Sequence, residues 1–303
     1  MKRADRSFAP AFGVIIAGTD GSDRSVPAIQ WAADEAVRRA HVLRIVHTVP
    51  WLYGAPTDPG AGVVPDEDIA RGRKVLEQAV SLAREHAPDV TVESELMVGG
   101  AAAVLLERAR TGAMVVVGAH GTGLTARLPI GSTALQVITH TPVPAVVVRE
   151  PEPGSWHEVT VGVDEGRSEE SAVRFAFEEA ALRKARLRAI HVWSHPSPDR
   201  PGDMQPLVYD AAVVEEEEQR VLDEALAAWR EEFPDVEVCC EAVYGRPARI
   251  LAGASARSDL LVVGTRGRGG FAGLLLGSVS HAMLHSAHCP VVVVPSVTRQ
   301  EEP

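Results

Sequence analysis

The chain has 303 residues, 46% hydrophobic and 23% charged, the balance of a globular protein with room for two domains of ordinary size. Thirty Lys and Arg against 41 Asp and Glu leave a net charge of −11, which argues against a nucleic-acid backbone as partner, although local basic spots can hold a small anion. No run approaches the roughly 20 apolar residues that span a bilayer, and three cysteines without framework spacing (Cys239, Cys240 and Cys289) fit a reducing cytoplasm.

Met1-Lys2-Arg3 and the stretch 8–18 loosely imitate a secretory leader, but Pro10 breaks the apolar run and no small-residue cleavage site follows. Residues 13–17 therefore read as a first strand, ending at Gly18-Thr19-Asp20-Gly21-Ser22. The spacing predicts a helix over 27–40, with Ser22, Asp23 or Ser25 as cap, Pro27 in the first turn and Ile29, Ala33, Ala36 and Val37 as its buried stripe. A strand at 43–47 leads into a Pro- and Gly-rich loop at 50–65, long enough to suggest a lid or surface segment. Then follow a polar-rich helix at 67–86, a strand at 90–98, a helix at 101–110, a strand at 114–117, a glycine-rich loop, a helix at 132–140 and a strand at 145–148.

After a short linker at 150–154 the order repeats. Strands are expected at 158–163, 187–192, 236–243, 260–263 and 291–294. Between them fall helices at 169–184, 210–232, 247–256 and 279–286, with a proline-rich loop at 196–206. The glycine loops make the repeat explicit. Val115-Val116-Val117-Gly118 runs on to Gly121, Gly131 and Ser132; Leu261-Val262-Val263-Gly264 runs on to Gly267, Gly277 and Ser278, each offset by 146 residues. The predicted domains are 1–150 and 151–303. Alternating strands and helices imply βαβ units, so the expected fold is α/β: two tandem doubly wound, Rossmann-like domains, each an open five-stranded parallel sheet with helices on both faces. Such sheets bind ligands at the carboxyl ends of the strands, at a topological switch point.

Candidate chemistry gathers at those ends. Six glycines between Gly264 and Ser278 let the backbone approach a phosphate, and the following helix start offers N–H groups and a positive dipole end. Gly118, Gly121, Gly131 and Ser132 match Gly264, Gly267, Gly277 and Ser278, with the backbone of Thr133 and Val279 able to join. Asp20 and Asp164 each close the first strand of a copy, where a carboxylate can accept from ribose hydroxyls or, alternatively, cap the next turn. His47-Thr48 and His191-Val192 end the second strands; their backbone can meet an adenine edge, while the histidines read as satisfied core residues rather than catalysts. His120 can touch phosphate or face solvent, and Arg266 and Arg268 can add charge to the second loop or be ordinary surface charge.

Gly-x2-Gly-x9-Gly-Ser after an apolar strand, with a strand-end aspartate upstream, resembles the ATP-binding branch of the universal stress protein family. The resemblance covers nearly the whole chain as two tandem domains. It is joined by Gly99, Gly245-Arg246-Pro247, Ser258-Asp259 and Cys289-Pro290. It implies ATP, with or without Mg2+, held by Asp20, Thr48, Val117, Gly118, Gly121, Gly131, Ser132 and Thr133, and by Asp164, Val192, Val263, Gly264, Gly267, Gly277, Ser278 and Val279. The copies depart from each other at Gly112-Ala113 against Ser258-Asp259, at Pro129, and at Glu165-Gly166 against Gly21-Ser22, so the two sites are expected to differ.

The leading expectation is a cytoplasmic stress-response regulator that binds one adenine nucleotide per domain and ties occupancy to conformation or partner choice. A slow ATPase or nucleotide-dependent transferase is one alternative, with Tyr53, Asp66, Glu67, His195 and Asp199 as the spare polar groups; a partner-binding module without nucleotide is another. No Gly-x4-Gly-Lys-Ser/Thr loop, base, nucleophile or metal cluster stands out, so no catalytic or metal-binding residue is named. The resemblance also suggests pairing through the last strands, as a homodimer or as a pseudo-dimer within one chain, since apolar edge strands seldom stay unpaired.

Overall fold

The computed structural model describes residues 13–50, 64–121, 130–149, 155–164, 170–194, 211–265 and 276–296. Residues 51–63 and 196–206 of the two expected proline-rich loops, the linker 150–154 and the interiors of both glycine loops lie outside this set. The chain divides into two compact units, Met1–Glu152 and Pro153–Pro303.

In the first unit β1 (Val14–Gly18), α1 (Val26–Arg38), β2 (Val42–Val49), α2 (Asp66–His86), β3 (Thr91–Val98), α3 (Ala101–Ala109), β4 (Met114–Gly118), α4 (Ser132–His140) and β5 (Ala145–Val148) alternate along the chain. The strands form a parallel sheet in the order β3-β2-β1-β4-β5. The central strands are short apolar runs because helices cover both of their faces; Ile15, Ile16, Met114 and Val115 are buried completely or nearly so. Helices α1 and α2 pack together on one face, α3 and α4 on the other. From β1 the chain steps through α1 to β2 on one side, whereas α3 returns it to β4 on the opposite side of β1. The order therefore reverses between β1 and β4, and a crevice opens at their carboxyl ends.

The second unit repeats the plan with β6 (Glu158–Val163), α5 (Glu170–Arg183), β7 (Arg186–Trp193), α6 (Ala211–Glu232), β8 (Val238–Tyr244), α7 (Pro247–Ser255), β9 (Leu260–Gly264), α8 (Ser278–Ser286) and β10 (Val291–Val294). Its parallel order is β8-β7-β6-β9-β10. Phe177 of α5 is fully buried and stacks on Trp229 of α6 and on Phe233 just beyond it, with ring centroids 6.5 and 5.5 Å away.

Local geometry departs from the sequence expectation in three places, the first being Val37, expected in the buried stripe of α1 but exposed on its surface. A 3-10 turn over Asp23–Ser25 precedes α1, so Ser25 takes the N-cap position without capping; its hydroxyl donates to the Ser22 carbonyl at 2.8 Å instead. Both α1 and α5 end on a left-handed residue that is not glycine, Ala40 and Lys184, each at φ 52°. That conformation costs roughly 1 kcal/mol for an L-residue. It is offset by closing bonds from His41 N–H to the Ala36 carbonyl (2.8 Å) and from Ala185 N–H to the Ala180 carbonyl (2.9 Å).

Edge strand β3 is tied to α3 by a bidentate pair, Arg108 donating to Glu95 at 2.8 and 2.7 Å. These hydrogen bonds hold the Glu95 carboxyl below the usual carboxylate range. A carboxylate with a depressed folded-state pKa stabilises fully above its unfolded value of about 4.3, and the contribution is lost as pH falls through the lowered folded value. Wild type should therefore lose stability below about pH 4 more steeply than Glu95→Gln, by up to about 1 kcal/mol for this part-exposed pair. Acid unfolding followed by circular dichroism measures the difference; parallel curves would contradict the assignment.

Candidate functional site

The crevice of the first unit is a cleft of about 220 Å³, and all eight residues expected in this copy line it. Asp20 stands two residues past the end of β1, Thr48 near the end of β2, and Val117 and Gly118 at the end of β4. Gly121 follows in the loop, and Gly131, Ser132 and Thr133 open α4. Ala101 and Leu105 of α3 add an apolar wall.

Of the two roles that its sequence position left open, Asp20 makes the turn contact here. Its Oδ1 accepts from the Ser22 N–H at 3.0 Å and from the Ser22 hydroxyl at 2.6 Å, fixing the turn. Gly21, at φ 80°, supplies the left-handed step that this turn requires. Asp20 Oδ2 is turned to Gly121, where a Cβ would meet it at 2.7 Å. The carboxylate is thus held rigidly against the glycine loop.

Thr48 enters through its backbone. The Thr19 N–H donates to the Val46 carbonyl at 3.0 Å, so β2 turns the polar groups of Val46 toward β1. Two residues on, those of Thr48 point the same way, past the last β1 residue that pairs with β2, Gly18. A planar ring edge can be read there.

At the other end of the cleft the glycines form a cradle. A Cβ on Gly118 would lie 3.2 Å from the Arg24 carbonyl oxygen and 3.4 Å from that of His120. Ala119 N–H donates to the Val148 carbonyl (2.9 Å) and Gly131 N–H to the Ala119 carbonyl (2.8 Å), bringing the two ends of the loop together. Gly131 is extended (φ −73°, ψ 151°), and no side chain caps the first N–H groups of α4. An uncapped helix start beside close-approach glycines suits an anion.

The second unit reproduces this frame. Thr265 N–H donates to the Val294 carbonyl (3.0 Å) and Gly277 N–H to the Thr265 carbonyl (2.7 Å). Gly277 is extended (φ −68°, ψ 154°) and α8 again starts without a side-chain cap. Asp164 follows β6, Val192 lies near the end of β7, Val263 and Gly264 end β9, and Ser278 and Val279 open α8. Gly267, Arg266, Arg268, Glu165 and Pro129 lie outside the described residues. The same holds for Tyr53, His195 and Asp199, whereas Asp66 and Glu67 sit in the first turn of α2, where they complement the helix dipole. Where the first copy has Ala134, Ser280 donates to the Gly264 carbonyl at 2.5 Å and ties the first turn of α8 to the end of β9.

A family model described as the universal stress protein family matches residues 11–149 and again 155–295. The chain belongs to the universal stress protein family. Universal stress protein Rv2005c of Mycobacterium tuberculosis is 36% identical over 295 residues, covering 92% of this chain and 96% of its own length. A universal stress protein of Mycolicibacterium smegmatis is 33% identical over 293 residues, with 94% and 98% covered. Among solved structures, that of a universal stress protein from Archaeoglobus fulgidus superposes with a TM-score of 0.65 at 18% identity, covering 93% of this chain and 96% of that one, a likeness of fold.

Within this universal stress protein, several lining residues escaped the sequence reading. Leu105 lies over Gly18, where a Cβ would meet its Cδ1 at 2.8 Å; Leu251 lies over Gly162 in the same way at 2.9 Å. A glycine–leucine pair at the same place in both copies was the available signal, but the two partners are far apart in sequence. The difference between Gly112-Ala113 and Ser258-Asp259 falls where β4 and β9 begin, at the opposite end of the sheet from the cleft. There the buried Ser258 hydroxyl bonds with Thr160 at 2.7 Å, and Asp259 accepts from the Trp156 N–H at 2.7 Å, so this departure serves the fold. The cysteines sit away from this chemistry, on β8 and just before β10. Burial pushes the thiols of Cys240 and Cys289 up to about 11 and about 12, which keeps both protonated at neutral pH. Among the described residues no helix is long and apolar enough to cross a membrane.

Proposed function

We propose that each unit binds one adenine nucleotide, ATP foremost, and that occupancy is coupled to conformation or partner choice in the stress response. The observation that carries this is the meeting, in one cleft, of a strand-end carboxylate, an apolar wall and an uncapped helix start behind close-approach glycines. In this reading Asp20 accepts from ribose hydroxyls, while Leu105, Ala101 and the backbone of Thr48 take the base. Gly118, Gly121, Gly131, Ser132 and Thr133 take the phosphates through N–H groups and hydroxyls. Val117 backs the cradle. Asp164, Val192, Val263, Gly264, Gly267, Gly277, Ser278 and Val279 take the same parts in the second unit. Among the described residues no three His, Cys, Asp or Glu side chains cluster as metal ligands. Mg2+ enters the proposal as a companion of the phosphates.

Pairing through the last strands, within one chain or between two, belongs to the same proposal. It rests on the uniformly apolar sequences Ala145–Val148 and Val291–Val294. Light scattering distinguishes the two forms.

The decisive experiment is purification without added nucleotide, acid release and chromatography of what comes off, quantified per chain. About two adenine nucleotides per chain are expected at saturation, one for each copy of the site. A chain that emerges empty and takes up no ATP on titration overturns the proposal and leaves a partner-binding module as the better account.

A further inference from the structure

One contact recurs in both units and has no part in the phosphate cradle. His47 Nδ1 lies 2.8 Å from the Thr19 carbonyl oxygen, and His191 Nδ1 lies 2.9 Å from that of Val163. In each copy the ring reaches back 28 residues to the carbonyl immediately before the strand-end aspartate. A carbonyl only accepts, so the ring donates through Nδ1–H. In the first unit the Thr19 backbone is held on both sides by consecutive β2 residues, its N–H by the Val46 carbonyl at 3.0 Å and its C=O by the His47 ring. The residue-by-residue pairing of β1 with β2 ends at Gly18 and Val46, one residue before this carbonyl. The imidazole supplies the donor that another ladder step would have given.

Resting on the nucleotide reading above, we propose that His47 and His191 are positioning residues for the ribose. Each ring holds the peptide that carries Asp20 or Asp164, and so sets where the carboxylate stands relative to a sugar bound in the crevice. His47 also lines the cleft, whereas His191 is buried at 6% exposure.

The copies differ in what lies behind the ring. Gly72 of α2 comes so close to His47 that a Cβ there would be 3.3 Å from the ring Cδ2. The corresponding residue of α6 is Glu218, fourteen residues before the helix end as Gly72 is in α2, and its Oε2 lies 3.2 Å from His191 Nε2. The acidic helix therefore grips the second ring directly, and only the second site should respond to changes at Glu218.

The test uses the full chain and ATP as the probe. His47→Phe keeps a ring but removes the donor, whereas His47→Asn keeps an N–H near the Nδ1 position. His47→Phe should weaken the first site for ATP about tenfold, the loss expected from one displaced charge-assisted contact, and His47→Asn should recover most of it. Both variants should bind 2′,3′-dideoxy-ATP as wild type does, because the effect acts through ribose hydroxyls. Glu218→Gln should alter the second site alone. If His47→Phe binds ATP as tightly as wild type, or loses dideoxy-ATP in the same proportion, the positioning role is wrong while the nucleotide reading stands. A wild-type chain that binds no ATP removes both.

Discussion

Replacing Gly121 by alanine should weaken ATP binding at the first site about a hundredfold while leaving the fold intact. The new Cβ would sit 2.7 Å from Asp20 Oδ2, inside van der Waals contact. A flexible carboxylate could swing aside cheaply, but this one is tied through Oδ1 to the Ser22 N–H and hydroxyl at 3.0 and 2.6 Å. Either those bonds break or the glycine loop moves away from the phosphates. A hydrogen bond to a charged group is worth about 1.5–3 kcal/mol, so losing the ribose contact gives roughly a hundredfold. Titration of the variant with ATP should show one weakened and one unaltered class of site, with an unchanged circular dichroism spectrum. Two sites of wild-type affinity would mean that Asp20 and Gly121 do not face the ligand together.

Phe177→Ala should destabilise the second unit by about 3–5 kcal/mol, the usual cost of emptying a fully buried aromatic site. Phe177 has no exposed surface, and its ring lies against both Trp229 and Phe233. The cavity would fall between α5 and α6, the helices that cover the sheet beneath it. A domain's whole stability is about 5–15 kcal/mol, so the loss is a large part of it. Urea unfolding should show a transition at markedly lower denaturant, with nucleotide leaving the second site first. A shift below about 1 kcal/mol would mean that the helices close over the gap.

Much of the architecture was legible in the sequence because its signals are local. Val115-Val116-Val117 and Leu261-Val262-Val263 announce buried strands by their own composition, and the glycines that follow announce close backbone approach. Asp20 and Asp164 stand out because each ends a strand at the same point of a repeat. Strands alternating with helices then fix parallel crossovers, and with them the end of the sheet at which ligands collect. These features depend on a residue's nearest neighbours along the chain.

What the tertiary structure decided involves partners far apart in sequence. The carbonyls held by His47 and His191, the leucine over Gly18 and over Gly162, and the acid on α6 that meets one ring but not the other all require two segments to be brought together. The left-handed Ala40 and Lys184 belong here too, since nothing local favours that conformation without glycine. The sequence alone determined the fold and the end of the sheet at which the first copy's candidate residues gather. How firmly Asp20 is held, and which ring meets the carbonyl before it, emerged only from packing: a hydrogen bond or a 2.7 Å contact is a property of two surfaces, and one-dimensional periodicity describes only one of them.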